Sequence, residues 1–244
     1  MGWSEYFLRR GRPVYIPDQT SRGRSGFDAT GINQGRLGAI EASAAPRIHT
    51  FGRNSAWKVF RFGPEYPNTF PDLQFPRSGF DELAKQVIPD LNDLLPNPNP
   101  TFANLGALAR LLDGAILIGH SESGFFPERA ALANPSGVRG IVSIEAVCPD
   151  TVTPQQIAAL AKVPIVFVWG DHIEDSPLPI WKTLFANCQQ IASQIVAVGG
   201  DASVLHLPAI GIKGNSHMLM QDLNNLQVAD LILDWIAKHA EKSH

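Results

Sequence analysis

Ala115-Ile116-Leu117-Ile118-Gly119 followed by His120-Ser121-Glu122-Ser123-Gly124 is the most informative stretch of this 244-residue chain. The first five residues form an apolar run short enough to be a buried strand. Residues from about 122 to 133 then read as a helix. A serine placed between strand and helix is held out of the backbone only if the turn is very tight. A turn that tight needs small residues two before and two after the serine. Gly119 and Ser123 fill those places, and Gly124 follows. A small-x-Ser-x-small match is weak by itself, but in this strand-to-helix setting it makes Ser121 a candidate nucleophile.

Outward from this turn the chain alternates between strand-like and helix-like segments, which argues for a mainly parallel α/β sheet flanked by helices in one domain, 1–244. Residues 13–17, 140–146, 164–169 and 202–208 read as further strands. Residues 2–10, 101–112, 178–198 and 224–239 read as helices, the one at 101 opened by a threonine N-cap after proline. Val228, Leu231, Ile232 and Trp235 repeat at helical spacing and belong to the core. Residues 51–100 differ, being rich in proline and aromatics (Trp57, Phe60, Phe62, Tyr66, Phe70, Phe75, Phe80). They read as a cap-like insertion that either walls an apolar pocket or forms a satellite cluster of its own.

A serine nucleophile needs a base and an acid that orients the base. The base is expected after the last strand and before the C-terminal helix, where Gly214-Asn215-Ser216-His217 stands. Of the other histidines, His206 lies within a strand, His239 and His244 lie in or beyond the last helix, and His49 precedes the serine. His120 and Phe125 flank the turn and are candidates to line a substrate pocket, and His172 follows a strand end. Two regions offer the acid: Glu145, and the group Asp171, Glu174 and Asp175. Chain order does not choose between them. Glu145 ends an otherwise apolar strand, where an ionised group is costly without a partner, and a role beside His217 would explain it. The backbone N–H of Glu122 is the candidate donor to an oxyanion.

Composition excludes several classes. With 44% hydrophobic and 18% charged residues the chain is globular, and a net charge of −3 gives no bulk attraction to nucleic acid or anionic lipid. The early arginines 9, 10, 12, 22 and 24 read as solvated helix-end and loop charges. No apolar run reaches the ~20 residues of a membrane span, and no secretory signal is read at the start. Two cysteines, Cys148 and Cys188, make neither a disulfide scaffold nor a zinc site. The chemistry calls for no metal or organic cofactor.

The segments GHSESG, GIVSIEA, VFVWGDHIED and GNSHMLMQDLNNLQVADLILDWI resemble a bacterial secreted carboxylesterase family within the α/β-hydrolases. The resemblance implies ester hydrolysis by a Ser–Glu–His triad, which maps to Ser121, Glu145 and His217. It also implies a homodimer, a disulfide for which Cys148 and Cys188 match, and a secreted or periplasmic location rather than a cytoplasmic one. Asp18 to Ser25 is similar to a loop, opened by Asp and closed by Gly-x-Ser, common after this strand in the superfamily.

In the resembled fold three strands precede the helix at residues 2–10, the third lying between residues 13–17 and 115–119. A His-Gly loop after that strand supplies the second oxyanion donor. The expectation is therefore an N-terminally truncated hydrolase. Two other readings stand beside the esterase: a binding scaffold without catalysis, and a tailoring thioesterase or lactonase.

Overall fold

The computed structural model describes residues 1–87 and 94–241. In chain order the helices and strands are α1 (Trp3–Arg9), α2 (Thr30–Arg36), α3 (Arg53–Val59), α4 (Phe80–Gln86), α5 (Thr101–Leu111), β1 (Ala115–His120), α6 (Phe126–Ala133), β2 (Val138–Ile144), α7 (Pro154–Leu160), β3 (Ile165–Trp169), α8 (Ile180–Ala197), β4 (Ala202–His206) and α9 (Asn225–His239). Helices connect successive strands, so the sheet is parallel throughout, in the order β1-β2-β3-β4.

Alternation along the central strands builds two cores. Ile165, Phe167 and Trp169 point to one face and meet Leu160, Trp181, Ile191 and Ile195 of α7 and α8. Val166 and Val168 point to the other and meet Trp3 and Phe7 of α1 with Val228, Ile232 and Trp235 of α9. Strands buried on both faces read as continuous apolar runs, which is why 140–146 and 164–169 were legible without any polar alternation.

Residues 13–17 do not form the expected strand. They run extended, but Pro13 and Pro17 lack an N–H to donate, and a groove of about 1070 Å³ separates them from β1. Among the described residues no strand pairs with that edge of β1, and Ile118 on it is 42% exposed. Helix α5 is capped differently from the expectation: Asn99 Oδ1 accepts from the Thr101 N–H at 3.0 Å. The early arginines are paired rather than simply solvated, Arg9 with Glu5, Arg10 with Asp230 and Arg24 with Asp18.

Within the 51–100 stretch, residues 88–93 lie outside the described residues. Trp57, Phe62 and Phe75 form a buried cluster with Phe60, Leu73, Phe80, Leu83 and Met218. The aromatics thus pack mainly on one another, as a satellite cluster does. Tertiary hydrogen bonds tie this segment to the main fold: Gln74 N–H donates to Gly214 O at 2.8 Å, and Leu223 N–H donates to Gln74 O at 2.8 Å.

Cys148 and Cys188 are joined, closing a loop of 40 residues between the segment after β2 and α8. Constraining that loop in the unfolded chain contributes about 4 kcal/mol in the chain-entropy model. The Cys148→Ala/Cys188→Ala double variant is expected to lose about 2–4 kcal/mol in urea unfolding. A loss under about 0.5 kcal/mol would show that the unfolded chain gains little freedom.

Glu128 of α6 is fully buried, with Oε1 accepting from Ser143 Oγ at 2.5 Å and Oε2 meeting no hydrogen-bond partner among the described residues. Burial pushes its carboxyl up to about 8, against the Ser143 hydrogen bond, which favours ionisation. Folding therefore takes up a proton between about pH 4.5 and 8, and stability falls as pH rises through that window, by about 1.4 kcal/mol per unit. Glu128→Gln stays neutral and is expected to lack that part of the decline. Urea midpoints at about pH 5 and pH 8 check it, and parallel declines in both proteins would contradict it.

Candidate active site

The C-terminal ends of parallel strands deliver side chains to one edge of the sheet, and the site is assembled there. Ser121 follows β1 directly, at φ 58°, in a short 3₁₀ turn from Ser121 to Phe125 that leads into α6. A left-handed backbone at a non-glycine residue is a strained turn, as an exposed nucleophile requires. The small neighbours are needed sterically: a Cβ on Gly119 would lie 2.3 Å from Ser123 O, and one on Gly124 would lie 2.5 Å from Ala146 Cα. Ser123 itself turns inward, its Oγ donating to His120 O at 2.9 Å.

Glu145 follows β2, also left-handed at φ 50°, and is fully buried. His217 sits in the loop between β4 and α9, fully buried apart from its reach to Ser121. Its Nε2 lies 2.7 Å from Ser121 Oγ and its Nδ1 lies 3.1 Å from Glu145 Oε2. An ionised carboxylate only accepts, so the hydrogen is on Nδ1 and the lone pair of Nε2 faces the serine hydroxyl. The structure thus brings together the three residues singled out in the sequence. Asp171 is engaged elsewhere: its carboxylate accepts from the N–H groups of His172 and Gly214, at 2.7 and 2.8 Å. Glu174 pairs with Lys182, and Asp175 lies 3.6 Å from His172.

No family model matches the chain. A solved structure described as a novel bacterial esterase superposes on 99% of this chain and 74% of its own, with a TM-score of 0.93 and 46% sequence identity. The chain belongs to the α/β-hydrolase esterases. It is a carboxylic-ester hydrolase. A fungal protein, the "Probable secreted lipase phiG" of Fungal sp. (strain ATCC 74256), is 27% identical over 292 residues, covering 97% of this chain and 75% of the relative.

In this esterase the loop that carries His217 is held by a network the sequence reading did not find. Asp222 accepts from Asn215 Nδ2 at 2.8 Å, from the Ser216 N–H at 2.9 Å and from Ser216 Oγ at 2.7 Å. Burial raises the Asp222 carboxyl to about 6, against these hydrogen bonds, which favour its charge. The His217 N–H donates to Phe60 O at 2.9 Å, so the 51–100 segment also holds that loop in place.

Arg61 was missed entirely. It leaves α3 at φ 53°, is fully buried, and grips Glu145 with Nη1 to Oε2 at 2.6 Å and Nη2 to Oε1 at 2.5 Å. Gly170 N–H donates to the same Oε1 at 2.7 Å. Burial opposes ionisation of Glu145, but the Arg61 charge and the hydrogen bonds from His217 and Arg61 outweigh it and hold the carboxyl well below the usual range. A sequence signal for Arg61 was absent because an arginine in a polar-aromatic excursion looks like any surface charge.

The pocket beside Ser121 measures about 300 Å³ and is lined by Gln19, Arg22, Phe60, His120, Glu122, Ser123, Phe126 and Met218. Phe125 is not among these. It packs in the core with Ala131, Ala146 and Trp169, because the turn after Ser121 rotates the next aromatic, Phe126, towards the opening. His120 does line the pocket, and its Nε2–H donates to His217 O at 2.8 Å. Burial and the neighbouring His217 lower it to about 3, so it stays neutral.

Asp72, Asp171 and His172 are the cluster among the described residues whose donor atoms lie near enough to share a metal. Their groups already bond one another and Gly214.

Among the described residues no helix is long and apolar enough to cross a membrane.

Proposed function

We propose that the esterase hydrolyses small carboxylic esters through an acyl-enzyme on Ser121, with His217 as general base and acid and Glu145 as the orienting acid. The observation that carries this reading is the continuous chain Ser121 Oγ to His217 Nε2 to Glu145, at 2.7 and 3.1 Å. As Oγ attacks the ester carbonyl carbon, its proton passes to Nε2 and the carbonyl electrons move to oxygen. The oxyanion collapses, the C–O bond to the alcohol breaks, and Nε2 returns the proton to the leaving alkoxide. A water then deacylates the enzyme: its proton goes to Nε2 as its oxygen attacks the acyl carbon, the bond to Ser121 Oγ breaks, Nε2 returns the proton to Oγ, and the carboxylic acid departs. The Glu122 N–H, one residue after the nucleophile, is assigned to the oxyanion.

A pocket of about 300 Å³ is at the small end for ligand sites, which favours short acyl or alcohol groups. The Cys148–Cys188 bond fits an oxidising compartment. Reaction with a fluorophosphonate followed by peptide mass analysis tests the assignment. The label is expected on Ser121, together with hydrolysis of p-nitrophenyl butyrate. Absence of both would favour a scaffold without catalysis, and preference for a thioester over that ester would favour the thioesterase reading.

A further inference from the structure

We propose that Arg61 is a positioning residue for the hydrolysis, holding the Glu145 carboxylate in place for His217 and offsetting the negative charge that would otherwise keep a proton on the imidazole. The inference rests on the proposed roles of Ser121, His217 and Glu145.

A triad acid with no cation beside it presents its full charge to the imidazole. Here that charge is shared. Glu145 Oε2 lies closer to Arg61 Nη1, at 2.6 Å, than to His217 Nδ1, at 3.1 Å. Arg61 is itself fixed: Nε donates to Asp171 O at 2.8 Å, and the guanidinium lies 5.1 Å from the Trp181 ring centre. Both members of the pair are fully buried, so water screens neither. A planar two-point grip also leaves the carboxylate a single orientation, which a point charge could not impose.

The groups facing His217 from each packed element are few. The turn after β1 presents Ser121 and neutral His120, β2 presents Glu145, the α3 end presents Phe60 and Arg61, and α8 presents Trp181. Asp222 lies behind, on the base loop, bonded to Ser216 and Asn215. Burial lowers His217 below the ordinary histidine value, Glu145 opposes this, and Arg61 adds to it. Burial and the Arg61 charge thus both favour the neutral imidazole, the form that can take the serine proton.

Removing the guanidinium acts in one direction by two routes. The uncompensated Glu145 charge would favour the imidazolium, and a Glu145 without its cation would itself take up a proton at higher pH. Both move the acid limb of the rate profile upward.

The test is the pH dependence of kcat/KM for p-nitrophenyl butyrate between about pH 4 and 9, read at the isosbestic wavelength and normalised to serine titratable by fluorophosphonate. Arg61→Gln is expected to raise the acid limb by about one unit, roughly a tenfold loss on that limb beyond any loss at the plateau. Arg61→Lys keeps the charge but reaches one carboxylate oxygen, and is expected to raise the limb by about half a unit. If Arg61→Gln yields no folded enzyme, Arg61→Lys decides. Acid limbs that coincide with the parent's, whatever the loss at the plateau, overturn the proposal and leave Arg61 a purely structural cation. Failure of the underlying triad reading looks different: the parent enzyme itself would show no label on Ser121.

Discussion

Ser121→Ala is expected to lower ester turnover by about 10⁴- to 10⁶-fold while the protein stays folded. The whole proposed covalent route passes through one oxygen atom, and alanine offers no substitute. His217 would keep its bond to Glu145, and the pocket would keep its shape. The lost hydrogen bond to Nε2 is worth about 1 kcal/mol, so the unfolding midpoint should shift by a few degrees at most. The left-handed turn is conserved in the comparison, because alanine and serine bear the same cost at φ 58°. Residual hydrolysis should reflect only binding and the oxyanion donor. Turnover within tenfold of the parent would remove Ser121 from the mechanism.

Glu145→Gln should lower turnover by about 10⁴-fold and also destabilise the fold by about 3–5 kcal/mol. The side chain keeps its shape, so both effects are electrostatic. Glu145 accepts four hydrogen bonds, from Arg61 twice, from His217 and from Gly170. An amide has only one oxygen. If its NH₂ faces His217 and Nη1, the imidazole must accept at Nδ1 and carry its hydrogen on Nε2, where it can no longer take the serine proton. If its NH₂ faces Gly170 and Nη2, donors oppose donors. In either orientation Arg61 is left as a buried cation without its anion. Turnover at varied ester concentration and urea unfolding check the two effects separately. A variant as active as the parent would show that the acid is not Glu145. One as stable would show that the Arg61 charge finds another partner.

Much of the site was legible because its parts are local. The turn at Ser121 is specified by neighbours within three residues, Gly119 and Gly124, whose missing side chains permit contacts of 2.3 and 2.5 Å. His217 was found from its place between the last strand and the last helix. The loop opened by Asp18 was found in the same way: Asp18 Oδ2 accepts the Arg24 N–H at 2.8 Å, and Ser25 Oγ donates to Asp18 O at 3.4 Å. The assignment of Phe125 to the pocket failed because a tight turn reverses which neighbouring aromatic faces outward, and spacing alone does not carry that rotation. The strand expected at 13–17 failed for another reason, since a strand needs a partner and these residues have none among those described.

By itself the sequence determined the class of sheet, through apolar runs bounded by turn residues, and singled out Ser121 and His217, the first through the geometry that a strand-to-helix turn imposes on adjacent residues and the second through its place after the last strand. Glu145 beside His217 and Cys148 beside Cys188 came from the sequence only through a family resemblance, and the tertiary structure brings both pairs together; it alone showed that Arg61 grips that carboxylate. These contacts join residues 72, 84 and 40 positions apart. The spacing along the chain carries no record of such pairings, because they are set by which strand ends and loops the packed sheet brings to one edge.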